Sequence, residues 1–134
     1  MKLYSPNLFR VLAVIWSFVL VGLSLTPGKE LPVLPVWNAD KYMHARFYAI
    51  WSFLIFMIRF SKPSKRMSKR YAMLSFWSLI SIGWTIEFIQ GTWIPDRYFD
   101  YMDGLANMIG VASVPVVWRI FRMFKRYSLK RLRR

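Results

Sequence analysis

The chain has 134 residues, 56% of them hydrophobic and 19% aromatic, a length that suits one domain and an apolar share well above that of an ordinary soluble one. It has no cysteine, which excludes a disulfide framework and a thiolate metal site. Its net charge of +14 lies between apolar runs and on the C-terminal tail, which marks membrane flanks rather than a nucleic-acid surface.

The first apolar run covers 8–25, broken only by Arg10, and stops at the turn sequence Thr26-Pro27-Gly28. A signal peptide would use Lys2 and Arg10 as its basic region and 11–23 as its apolar one. No Ala-x-Ala-like cleavage site follows, so a retained helix is expected. The second run is cleanest over 47–58 and is preceded by Asp40, Lys41, His44 and Arg46. The third covers 71–86 and meets Glu87. The fourth covers 104–118, after a polar loop at Pro95-Asp96-Arg97. A span needs about 20 mostly apolar residues, so each helix is expected to extend into flanks where Lys and Arg snorkel and Trp sits at the interface. Trp16, Trp37, Trp51, Trp77, Trp84, Trp93 and Trp118 are spread over all the segments.

Arg59, Lys62, Lys65, Arg66, Lys69 and Arg70 lie between the second and third runs. Arg119, Arg122, Lys125, Arg126, Lys130, Arg131, Arg133 and Arg134 follow the fourth. The positive-inside rule puts both basic segments in the cytoplasm. The expectation is an all-α fold: an integral-membrane four-helix bundle with both termini cytoplasmic. Its single domain would have spans at about 8–25, 43–60, 71–90 and 103–120, and a basic tail over 121–134 that rests on anionic headgroups.

This topology sends all six acidic residues, Glu30, Asp40, Glu87, Asp96, Asp100 and Asp103, and the one histidine, His44, to the outer side. Helical spacing places Asp40, Lys41 and His44 on one face. Glu87 and Gln90 share another, and Asp103, Asn107 and Gly110 a third. Three helix ends are thus predicted to aim Lys41, His44, Glu87, Gln90, Arg97, Asp100, Asp103 and Asn107 at one point. Ion pairs of Lys41 and Arg97 with Glu87 and Asp103 would offset the cost of charge at membrane depth. Helix capping and headgroup-level ion pairing is the plainer role for Asp40, Asp96 and Asp100. Ala106 with Gly110, and Gly83 below Glu87, predict close helix approach, and Ser78, Ser81 and Thr85 predict bonds between helices. Pro115 should bend the fourth helix, its freed carbonyl satisfied by a neighbour.

These residues resemble the VanZ-like family of small bacterial membrane proteins, which is named for a teicoplanin-resistance protein. The resemblance rests on Leu25-Thr26-Pro27, Asp40-Lys41-x-x-His44-x3-Tyr48, Glu87-x-x-Gln90 and Arg97-x5-Asp103-x3-Asn107-x-x-Gly110. It leaves out the tail, and Arg46 and the unusually basic 59–70 loop depart from it. What it implies is a four-span bundle in the bacterial cytoplasmic membrane with a role in the cell envelope or in glycopeptide resistance.

Three functions are open at this point. In the first, the cluster binds an anionic lipid headgroup, a lipid-linked cell-wall precursor or a glycopeptide antibiotic at the outer face, through Asp40, Lys41, Gln90, Arg97, Asp100 and Asn107. In the second, a hydrolase or transferase acts on an envelope lipid with Glu87 and His44 as acid and base, and Asp103 orients His44 or holds a divalent ion. His44, Glu87, Asp100 and Asp103 are suitable metal ligands, but their spacing is no metal signature, and no cofactor is indicated. In the third, an oligomer forms a transporter or flippase. Membrane lipids are the expected partners and nucleic acid is not.

Overall fold

A computed structural model describes residues 5–31, 39–61 and 69–131, with side chains through 124. These contain four α-helices and one 3-10 turn: α1 (Pro6–Leu25), η1 (Gly28–Glu30), α2 (Ala39–Phe60), α3 (Lys69–Trp93) and α4 (Tyr101–Arg131). Trp37, Lys62, Lys65 and Arg66, together with Arg133 and Arg134, lie outside the described residues, as do the side chains of Lys125, Arg126, Lys130 and Arg131.

Local chemistry sets the helix ends. Ser5 caps α1 by accepting from the Asn7 amide at 3.2 Å, with Pro6 in the first turn, where its missing N–H costs nothing. Pro27 forces Thr26 into an extended conformation and ends the helix. Asp100 caps α4, its Oδ1 accepting from the Met102 amide at 2.8 Å. α4 continues as one helix of 31 residues to Arg131, so residues 121–131 of the expected tail prolong the last helix.

α1, α3 and residues Tyr101–Phe124 of α4 are long and apolar enough to cross a membrane, which supports a multi-pass membrane protein. α2 has 22 residues and falls outside that group, because Asp40, Lys41, Arg46 and Arg59 lie along it. The outward faces also resemble lipid-facing surface: Phe18, Leu74, Phe88 and Ile109 are more than half exposed, a pattern that water would penalise. Arg46 is exposed and points away from the core.

α2 packs chiefly on α4, and also against α1; α3 lies against α4. The α2–α4 approach requires Gly110, where a Cβ would come within 2.2 Å of the Ala45 carbonyl oxygen. The core gathers Leu20, Tyr48, Trp51, Leu79, Ile80, Ile86 and Val111. Pro115 lacks the N–H that would bond Val111, and the Ser52 hydroxyl donates to that carbonyl at 3.0 Å from α2. The bonds expected from Ser78, Ser81 and Thr85 to other helices are not formed among the described residues. Ser78, Ser81 and Thr85 are exposed, and Thr85 donates to the Ser81 carbonyl on its own helix, because the core face of α3 is set by Leu79, Gly83, Ile86 and Glu87.

The α1–α2 and α3–α4 connections meet at one end of the bundle. Gly28 N–H donates to the Pro95 carbonyl at 3.2 Å, and Lys29 pairs with Asp96 at 3.3 Å. A Cβ on Gly28 would lie 2.1 Å from the Asp96 carbonyl oxygen, so only glycine fits. Asp96 itself takes φ 56°, a left-handed conformation that aspartate tolerates.

Candidate functional site

The first turns of α2 supply Asp40, Lys41 and His44, and the last turns of α3 supply Glu87 and Gln90. The connection to α4 supplies Arg97 and Asp100, and the first turns of α4 supply Asp103 and Asn107. All nine lie at the end where the two connections meet, as the spacing predicts. Glu30 stays exposed on η1, and Asp96 serves the turn.

Lys41 is the hub. Its Nζ lies 2.5 Å from Asp100 Oδ2 and 2.8 Å from Asp103 Oδ1, tying α2 to the start of α4. The ammonium and the Met102 amide hold the Asp100 carboxyl below the usual carboxylate range. His44 Nδ1 lies 3.1 Å from the Asn107 side-chain oxygen. Its Nε2 faces Asp40 Oδ1 at 3.6 Å and Asp103 Oδ2 at 3.9 Å. Asn107, rather than Asp103, therefore orients the ring.

Two expected ion pairs are replaced by other bonds. Arg97 pairs with neither Glu87 nor Asp103; it donates to the Thr26 and Leu23 carbonyls at 3.4 and 3.3 Å. A cation belongs there, since those carbonyls close the C-terminal end of α1. Glu87 accepts the Asp100 backbone N–H through Oε1 at 3.2 Å, and its Oε2 has no hydrogen-bond partner among the described residues. Gln90 likewise ties α3 to α1, donating to the Ser24 carbonyl at 2.8 Å.

A cavity of about 460 Å³ opens between the ends of α1 and α2. Asp40, Lys41, His44, Gln90 and Arg97 form its polar wall, and Leu20, Leu23, Leu31, Met43 and Phe47 its apolar wall. Glu87, Asp100, Asp103 and Asn107 are not on the wall and support it from behind. Glu87 is only 2% exposed, whereas His44 lines the cavity and is the imidazole that can meet a ligand there.

The apolar wall carries no sequence signal distinct from core packing. Spacing alone does not mark Tyr48 as a site residue. It is a buried wall residue whose ring lies over Gly83, where a Cβ would come within 3.0 Å of it, and its hydroxyl has no hydrogen-bond partner among the described residues. No protein-family model, curated protein or solved structure matches this chain.

Proposed function

We propose that this is a VanZ-like multi-pass protein of the bacterial cytoplasmic membrane whose outer-face pocket binds an anionic envelope amphiphile, a lipid headgroup or a lipid-linked cell-wall precursor. Both termini and the 59–70 loop are cytoplasmic in this reading, and α2 crosses the membrane with its charged positions turned to the site or to the interfaces. The carrying observation is the mixed lining of the cavity, polar at Lys41, His44 and Arg97 and apolar at Leu20, Leu23 and Phe47. A charged head and the first carbons of a chain need such a pair of walls. Arg97 has five N–H donors and uses two on α1 carbonyls, so the others remain for phosphate oxygens. In glycopeptide-resistance physiology, such a pocket would hold a precursor or the antibiotic itself.

Native mass spectrometry of the detergent-purified chain, titrated with phosphatidylglycerol and with a polyprenyl pyrophosphate, tests this reading. Retention on the wild type should fall about tenfold in Arg97→Ala, as loss of one charge-assisted contact predicts. It should be abolished in Leu23→Trp, which fills the cavity from the apolar side. Equal retention in all three would sink the proposal.

A second reading is a hydrolase or transferase with His44 as acid–base. It is favoured by the His44 ring, which is oriented by Asn107 and flanked by two carboxylates at the cavity wall. Glu87→Gln keeps the acceptor for the Asp100 amide and removes a base. A normal resistance or envelope phenotype in that variant would exclude Glu87 as the base and leave His44.

A further inference from the structure

We propose that Asp40, His44 and Asp103 form a binding site for a first-row divalent cation such as Zn²⁺ at the polar wall of the cavity. One donor atom from each of the three residues lies within 4.8 Å of the others. The contacts of His44 Nε2 with the two carboxylate oxygens, at 3.6 and 3.9 Å, are too long for hydrogen bonds. They are close to the donor–donor edges around a metal: bonds of about 2.0–2.2 Å give tetrahedral edges of about 3.4 Å. The two His44 edges lie within about 0.5 Å of that value, and rotation of the exposed Asp40 side chain draws in the widest edge, at most 4.8 Å.

Two further observations point into the same gap. The Asn107 oxygen lies 3.1 Å from His44 Nδ1, which leaves Nε2 as the ring nitrogen that faces the two carboxylates. A histidine whose far ring nitrogen contacts a fixed side-chain oxygen matches the outer-shell arrangement usual for a metal-bound histidine. The Asp103 side chain is 8% exposed and spends Oδ1 on Lys41; its Oδ2 makes no hydrogen bond among the described residues and is turned toward His44. A nitrogen donor with two carboxylates suits zinc or a neighbouring divalent ion. Because Asp40 and His44 line the cavity, the remaining coordination positions face its interior.

The ion would also change the local electrostatics. Lys41 is shared between Asp100 and Asp103, and Asp40 adds a further carboxylate at the polar wall, a local excess of negative charge over that one ammonium. A divalent ion removes that excess and offers a phosphate oxygen a direct ligand. The donors converge whether or not an amphiphile binds, so the site stands or falls separately from the pocket proposed above.

The test uses the full chain, purified in detergent without a histidine tag, stripped with chelator and titrated with Zn²⁺ or Co²⁺ alone. His44 is the one histidine and cysteine is absent, so a cobalt–imidazole signature has a single source. The expected result is one tightly held equivalent of Zn²⁺ and visible Co²⁺ absorption bands. His44→Ala and Asp103→Asn should lose both, while Asp96→Asn retains both. Asp40→Asn, at a 57% exposed side chain, should weaken binding about tenfold without disturbing the fold, and so carries the test if either inner variant unfolds. A folded wild-type chain that takes up no Zn²⁺, or cobalt bands that persist in His44→Ala or affinity unchanged in Asp40→Asn, would overturn the site.

Discussion

Lys41 shows how one side chain decides which neighbours can be charged. Its ammonium bridges Asp100 and Asp103 across the α2–α4 boundary, and the Asp103 side chain is 8% exposed. Removing the cation leaves a buried carboxylate uncompensated, whereas removing both partners does not. Lys41→Met is therefore expected to cost about 2 kcal/mol, less than a fully buried pair because Lys41 is partly solvated. Adding Asp103→Asn should recover part of that loss. Thermal unfolding in detergent, followed by circular dichroism, measures both. Arg97 and Gln90 teach a different lesson at this scale. Polar types at membrane depth read as ligand contacts, yet both spend hydrogen bonds on α1 carbonyls, because a helix end leaves acceptors that need donors.

At the scale of the element, α4 depends on α2 for more than apolar contact. Pro115 deprives Val111 of its intrahelical donor, and Ser52 supplies the replacement. Ser52→Ala alone should cost about 1 kcal/mol by leaving that carbonyl unpaired. In a Pro115→Ala background the new N–H at 115 serves the carbonyl, and the Ser52→Ala penalty should largely vanish. A double-mutant cycle read by thermal unfolding reports this coupling, and additive effects would show that the two residues are independent. The missing donor and its compensation were legible in part. Proline announces a missing donor, but the identity of the donor depends on which residue of α2 faces it.

For the whole molecule, the contact between Gly28 and Pro95 fixes the two connections at one end, so Asp40, Glu87, Asp100 and Asp103 share that end. At the other end Phe56, Phe60 and Trp118 form an aromatic cluster between α2 and α4. The proposed orientation predicts that a cysteine replacing Glu30 is labelled by an impermeant maleimide in intact cells. A cysteine replacing Ser64, in the basic loop outside the described residues, should react only after permeabilisation. The absence of native cysteine keeps the background silent. Labelling of position 64 from outside would reverse the orientation and move the polar cluster to the cytoplasm.

Helix number, the sites of the turns and the grouping of the polar residues were determined by the sequence itself. They follow from local and periodic features: apolar runs, Pro27 and Pro95, and three- and four-residue spacings that place Asp40 with His44 and Asp103 with Asn107. The close approach at Gly110 was legible too, because a small-residue pair constrains backbone distance directly. Apart from the Lys41–Asp103 pair, which was among the expected ones, tertiary structure decided the pairing within the cluster. Lys41 takes Asp100 and Asp103, Asn107 takes His44, and Glu87 withdraws behind the wall with one oxygen on a backbone amide. Spacing assigns residues to a helix face, but the choice of partner depends on the rotation and depth at which each face meets the next helix. The cavity has the same origin: its polar wall comes from α2, α3 and a loop, its apolar wall from α1, α2 and Leu31 after η1, and it exists only once those surfaces are brought together.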